Sequence, residues 1–156
     1  MGRVLRRVLL CVAVVVLVAG CQGSSRYDNL NVPPQYQSGA QIRDALVRAG
    51  LGCEDFQAVV DAQRDVGEKD AREVDTCRVG NMNAAIMIWL KLGEAQDWAR
   101  SHQAMGCQLA QSVGTGEPIY VDGGRWTVAV ASRPVANKIA DALGGQAKFP
   151  DCSSVS

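Results

Sequence analysis

The chain has 156 residues, and its 16 Lys and Arg side chains balance 16 Asp and Glu side chains, so it is formally neutral. No run of clustered Lys and Arg occurs, which argues against nucleic acid as a partner, because phosphate binding needs such clusters. The length suits one domain with a single core.

The first 20 residues have the pattern of a targeting segment. Arg3, Arg6 and Arg7 precede an apolar run from Val8 to Val18. This run is shorter than the roughly 20 residues of a membrane-spanning helix, so a signal peptide is the better interpretation. The Arg6-Arg7 pair leaves the twin-arginine route open beside general export. Removing residues 1–20 leaves 13 basic against 16 acidic residues, a net charge near −3.

The run ends in Val18-Ala19-Gly20-Cys21, which resembles the lipobox of bacterial prolipoproteins. The resemblance implies that the Cys21 thiol receives a diacylglyceryl group, that cleavage occurs just before it, and that the new amino terminus is acylated, for example by palmitate. Two or three acyl chains hold a soluble domain on a membrane stably. We therefore expect a lipoprotein anchored at the extracytoplasmic face of the cell membrane.

Residues 21–39 are rich in Gly, Ser, Asn and Pro and show little apolar periodicity. This composition predicts a flexible tether, followed by a single domain over 40–156.

Four cysteines remain beyond the lipobox: Cys53, Cys77, Cys107 and Cys152. An even number in an exported chain indicates disulfides, and four cysteines allow three pairings. We expect Cys53–Cys77 and Cys107–Cys152. A zinc site is the alternative, but no Cys-x-x-Cys occurs and His102 is the only histidine, so we expect no metal and no cofactor.

The domain opens with a predicted helix in which Ser38 is the N-cap and Gly50 lies just past the end. Its apolar positions follow helical spacing: Ile42, Ala45, Leu46 and Ala49. The next segment, Cys53–Val60, is compatible with a strand or a short helix, and its apolar spacing slightly favours the helix.

Residues 61–75 are rich in charges of both signs and are predicted to form a solvated loop. An EF-hand starting at Asp61 fails, because Val66 and Arg72 replace the required Gly and Glu.

Two strands are predicted at 74–79 and 84–90, and the second is apolar on both faces, which is typical of a central strand. A ligand contact for Trp89 is less plausible than packing in the core. A long helix follows over 94–111, with one apolar stripe: Ala95, Trp98, His102, Met105 and Leu109. We expect His102 to be a packing residue, because no nucleophile and orienting carboxylate lie near it in the sequence.

A hairpin is predicted over 117–131, turning at Asp122-Gly123-Gly124, with Trp126 on its core face. A final helix begins near Pro134 and ends at Gly144-Gly145, and a tail held by Cys152 follows.

These elements predict an α+β fold, in which an antiparallel sheet of about four strands has helices packed on one face. Disulfides cross-link this fold. Four features resemble a group of small actinobacterial secreted lipoproteins: Gly50-Leu51-Gly52-Cys53 at the first helix end, a later strand that opens with Cys77, the Gly-x-x-Trp-x-Val strand and the Ala-Leu-Gly-Gly helix end. That resemblance implies no particular activity.

We therefore expect a membrane-tethered, non-enzymatic domain that binds a protein, envelope or small-molecule partner. The alternatives are a cell-envelope hydrolase or a purely structural envelope protein. The sequence contains no Gly-x-Ser-x-Gly, His-Glu-x-x-His or Ser-x-x-Lys motif, so we assign no catalytic residue. Asp97 and Asp122 are a pair of carboxylates that could converge in space, without any spacing to support it.

Overall fold

The structure is a computed structural model that describes residues 35–113 and 117–154. The predicted signal peptide, Cys21 and most of the tether lie outside these residues. The helices are α1 (Gly39–Arg48), α2 (Leu92–Val113) and α3 (Arg133–Leu143). The strands are β1 (Glu54–Ala58), β2 (Ala71–Val79), β3 (Met82–Trp89), β4 (Tyr120–Asp122), β5 (Trp126–Val130) and β6 (Gln146–Lys148). Within the described residues, no helix combines the length and apolar character needed to cross a bilayer.

All six strands form one sheet in the order β1-β2-β3-β5-β4-β6, and every neighbouring pair is antiparallel. The predicted α+β class is therefore confirmed. The expected number of about four strands is wrong, because β1 and β6 extend the sheet at its two edges. The four predicted strands correspond to β2, β3, β4 and β5.

Strand β3 divides the core into two layers. Ile86 and Ile88 belong to a cluster with α1 and α3, whereas Met87 and Trp89 belong to a second cluster with Ala95 and Trp98 of α2. Because successive residues of a strand point to opposite faces, α2 covers the face opposite α1 and α3. The prediction that the helices pack on one face is wrong, and the doubly apolar pattern of β3 is the physical reason.

Helix α1 is capped as the sequence predicts. The Ser38 side chain accepts a hydrogen bond from the backbone N–H of Gln41. At the other end Gly50 has a φ of 74° and donates to the Val47 carbonyl, and the Leu51 N–H donates to the Leu46 carbonyl. These two bonds form a Schellman motif, which satisfies the last carbonyls of the helix.

The helical interpretation of Cys53–Val60 is wrong, because this segment contains strand β1. The segment pairs with β2, with Glu54 opposite Arg78 and Ala58 opposite Asp75. The Cys53–Cys77 disulfide holds its start against β2. Pairing with β2 therefore determines the structure of this segment, because its apolar pattern is too short to decide between a helix and a strand.

Helix α2 includes its predicted range of 94–111 and extends two residues beyond it at each end, but its apolar stripe was partly misplaced. Met105 is 53% exposed and Leu109 is 51% exposed. Cys107 is fully buried, and Gly106 lies so close to Pro118 that an added Cβ would clash with the proline ring. This half of the helix is therefore held in place by the close packing of Gly106 against Pro118 and by the disulfide at Cys107. Large apolar side chains do not hold it.

Both predicted disulfides, Cys53–Cys77 and Cys107–Cys152, are present, with Cα–Cα distances of 5.2 and 5.1 Å. The second joins α2 to the segment that follows β6.

Replacing Cys107 and Cys152 together by Ser should lower the free energy of unfolding by roughly 3–4 kcal/mol, because the bridge joins residues 45 apart in the sequence. Urea unfolding of the oxidised proteins measures the loss. The matched variant without Cys53 and Cys77, which are 24 residues apart, should lose slightly less. A wild-type unfolding midpoint that does not move when reductant is added would contradict both expectations.

Candidate functional site

The sheet face beneath α2 changes in character from one edge to the other. On β2 and β3 it is apolar, with Val74, Met87 and Trp89 buried against the helix. On β4, β5 and β6 it is mostly polar. The polar set comprises Tyr120, Asp122, Thr127, Gln146 and Lys148. A helix-covered sheet face is ordinarily apolar, so this polar area requires an explanation.

Strand register brings these polar residues together. Tyr120 of β4 lies opposite Lys148 of β6, and Asp122 lies opposite Gln146 on one side and Thr127 on the other. Directly opposite residues in antiparallel strands share a face, so two adjacent rows of polar side chains form. Residues far apart in the sequence thereby become one surface.

A cavity of about 400 Å³ lies between this polar surface and α2, and we call it the α2 cavity. Its size falls at the low end of small-molecule sites in proteins. The α2 residues that line it recur at helical spacing along one stripe: Leu92, Ala95, Gln96, Ala99 and Arg100. The cavity thus has a largely apolar helical roof and a polar floor.

Two hydroxyl groups contribute to the floor. Thr127 is only 3% exposed, and its Oγ1 accepts a hydrogen bond of 3.0 Å from the Trp89 indole N–H. The hydroxyl proton of Thr127 therefore remains available for an acceptor. Among the described residues, no hydrogen bond involves the Tyr120 hydroxyl. Burial, and secondarily the negative charge of Asp122, raise the pKa of Tyr120, so its hydroxyl stays protonated and can donate.

The charged groups of the α2 cavity differ in their pairing. Arg100 forms a salt bridge with Asp97, and Asp122 accepts a hydrogen bond from the Gly124 N–H in the β4–β5 turn. Lys148 is half-buried, and its Nζ donates to Gln146 Oε1 at 2.8 Å. In the part of the chain that the structure describes, no carboxylate lies within salt-bridge distance of Lys148.

An aromatic cluster stands behind Tyr120. Trp98 contacts Trp89, meets Tyr120 edge-on at 5.5 Å between ring centroids, and stacks on His102 at 4.5 Å. Burial lowers the pKa of His102. The histidine thus packs as the sequence predicted, and the cluster fixes the position of the Tyr120 ring.

The remaining predicted residues lie elsewhere. Asp97 is exposed and does not line the α2 cavity, so the suggested pairing of Asp97 with Asp122 does not form a shared site there. The described residues hold no group of three or more His, Cys, Asp or Glu side chains that could bind a metal ion. Sequence reasoning missed Tyr120 and Lys148, although the alternation Tyr120-Val121-Asp122 was a detectable signal of a strand with one polar face.

Comparison of the chain with protein-family models, with curated proteins and with solved structures found no match.

A second polar group is buried on the opposite face of the sheet. Asp75 of β2 is 2% exposed, and its Oδ2 has no hydrogen-bond partner within the described residues. Glu73, two residues earlier, accepts a hydrogen bond of 2.9 Å from the Gly39 N–H at the start of α1. A side chain at Gly39 would collide with the Asp75 carboxylate, so glycine is required for this close approach.

Burial above all, and also the neighbouring Glu73 carboxylate, raise the pKa of Asp75 to about 7, against the opposing charge of Arg64. The folded protein therefore keeps a proton on Asp75 at pH values where the unfolded chain, with an ordinary pKa near 3.9, has lost it. A group with this upward shift contributes stability that is fully present below about pH 4 and disappears as the pH rises through about 7.

The variant Asp75→Asn should remove this dependence, because an amide of the same shape cannot ionise. At pH 8 it should be more stable than the wild type by roughly 2–4 kcal/mol, and below pH 4 the difference should be small. Denaturant unfolding across pH 4–8 measures it, with Asp141→Asn on the exposed side of α3 as the control. Equal slopes of stability against pH in wild type and Asp75→Asn would contradict the assignment.

Proposed function

We propose that the chain is an exported lipoprotein, anchored to the extracytoplasmic face of the cell membrane through Cys21, whose α+β domain binds a small molecule without transforming it. Export is supported by the signal-peptide pattern and the lipobox resemblance, and also by the two disulfides, since such bonds form and persist in oxidising compartments.

The observation that carries the binding function is the polar floor of the α2 cavity. Polar side chains beneath a helix reduce stability unless they are hydrogen-bonded. Of the two hydroxyls there, Thr127 has one internal partner and Tyr120 has none among the described residues. A bound polar molecule would satisfy both, while the roof residues Leu92, Ala95 and Ala99 would contact its apolar part.

Binding is favoured over nucleophilic catalysis by the state of the groups that line the α2 cavity. Thr127 Oγ1 already accepts from Trp89, and the raised pKa of Tyr120 keeps its hydroxyl in the protonated, weakly nucleophilic form. His102, the only histidine of the chain, is stacked on Trp98.

Replacing Cys21 by Ala should abolish anchoring, because the lipobox resemblance assigns the diacylglyceryl group to the Cys21 thiol. We expect the variant in the soluble fraction or as an uncleaved precursor, whereas Cys11→Ala, within the signal segment, should remain on the membrane. Fractionation and intact-mass analysis distinguish these outcomes. Membrane retention of Cys21→Ala at the wild-type level would refute the lipid anchor.

Filling the α2 cavity should abolish ligand binding without unfolding the domain. In Ala99→Phe the new ring would occupy the space under the roof, whereas Ala104→Phe places the same ring on the exposed side of α2. A small-molecule extract of the cell envelope should raise the melting temperature of wild type and Ala104→Phe but not that of Ala99→Phe. An equal rise in all three proteins, or none in the wild type, would contradict a binding role for the cavity.

A further inference from the structure

The geometry of the α2 cavity points to a specific class of ligand: we propose that it binds a small organic carboxylate, with Lys148 as the counter-charge. This inference rests on the proposed binding function and specifies the chemistry that the cavity recognises.

The first argument is the charge balance of the cavity. Arg100 has Asp97 as its partner. The Asp122 carboxylate accepts from the Gly124 N–H and lies beyond salt-bridge distance of Lys148, so it does not serve as the counter-charge of this lysine. Lys148 is the lining cation that has only a neutral partner among the described residues, the side-chain oxygen of Gln146. A half-buried ammonium group gains most from an anion, because the partial exclusion of water strengthens the ion pair.

The second argument is the arrangement of donors beside Lys148. Tyr120 lies directly opposite Lys148 in the strand register, so the two side chains project from neighbouring strands on the same face of the sheet, and both line the cavity. A carboxylate has two oxygens and accepts several hydrogen bonds, whereas a neutral amide or alcohol would leave the ammonium charge uncompensated.

The third argument concerns the remainder of the ligand. Leu92, Ala95 and Ala99 present an apolar stripe above the donors. The cavity of about 400 Å³ therefore suits a molecule that joins a carboxylate to a short apolar body. Large polyanions do not fit this description, because Lys148 alone cannot neutralise several charges and the Asp122 carboxylate on the same floor would repel them.

The test compares pairs of probes that differ only in charge: hexanoate with hexanamide, and benzoate with benzamide. They are titrated into the full chain carrying Cys21→Ser, which removes the lipid acceptor, and binding is followed by amide chemical-shift changes of the lining residues. Each carboxylate should bind at least about tenfold more tightly than its amide, since hydrogen bonds to a charged group are the stronger ones.

Two variants locate the interaction. Lys148→Gln should reduce the affinity for hexanoate about tenfold while leaving that for hexanamide unchanged, and Lys138→Gln on the exposed side of α3 should change neither. The comparison of probes in the protein with both lysines intact remains informative even if Lys148→Gln fails to fold.

The contrary outcomes are distinct. Equal binding of acids and amides at the lining residues would overturn the carboxylate inference and leave a binding cavity of different specificity. Binding of no probe up to its solubility limit would also overturn the inference, while the Ala99→Phe experiment with an envelope extract decides the proposed function separately.

Discussion

Strand β3 buries Ile86 and Ile88 on one face and Met87 and Trp89 on the other. A strand with two apolar faces must be covered twice, because either face would otherwise remain in water. Helices α1 and α3 cover the first face, and α2 must cross to the second. The same stretch of α2 that buries Trp89 also extends over β4 and β6, and the α2 cavity arises where the helix passes beyond the apolar part of the sheet.

The two buried polar regions differ in how their groups are satisfied. On the α1 side, Asp75 and Glu73 share a site with the start of a helix, and protonation relieves the burial of a charge. On the α2 side, hydroxyl, amide and ammonium groups face a space wide enough for another molecule. The first arrangement is a local electrostatic constraint on the fold, whereas the second lines a cavity of about 400 Å³, and this difference is the basis of the binding function that we propose.

Much of the fold followed from the sequence where the signals were local. The capping of α1 by Ser38 and Gly50, the hairpin at Asp122-Gly123-Gly124 and the central position of β3 all depend on neighbouring residues. The edge strands were missed because β1 carries an ambiguous apolar spacing and β6 has only three residues, Gln146–Lys148, so both are defined by their partners in the sheet. The floor of the cavity was missed for the same reason, since strand register assembles it from three separate segments.

The Cys107–Cys152 bond connects the helix that roofs the cavity to the segment just after β6, the edge strand that contributes Gln146 and Lys148 to the cavity floor. Cys152 follows every α-helix and strand of the described chain, so the ribosome adds it after all of them. The bond between this helix and the segment after β6 therefore cannot form until the chain has been synthesised through Cys152. A product released before that point would still be able to join Cys53 to Cys77, but it would display a lone Cys107 thiol, a chemical mark that distinguishes incomplete molecules from finished ones.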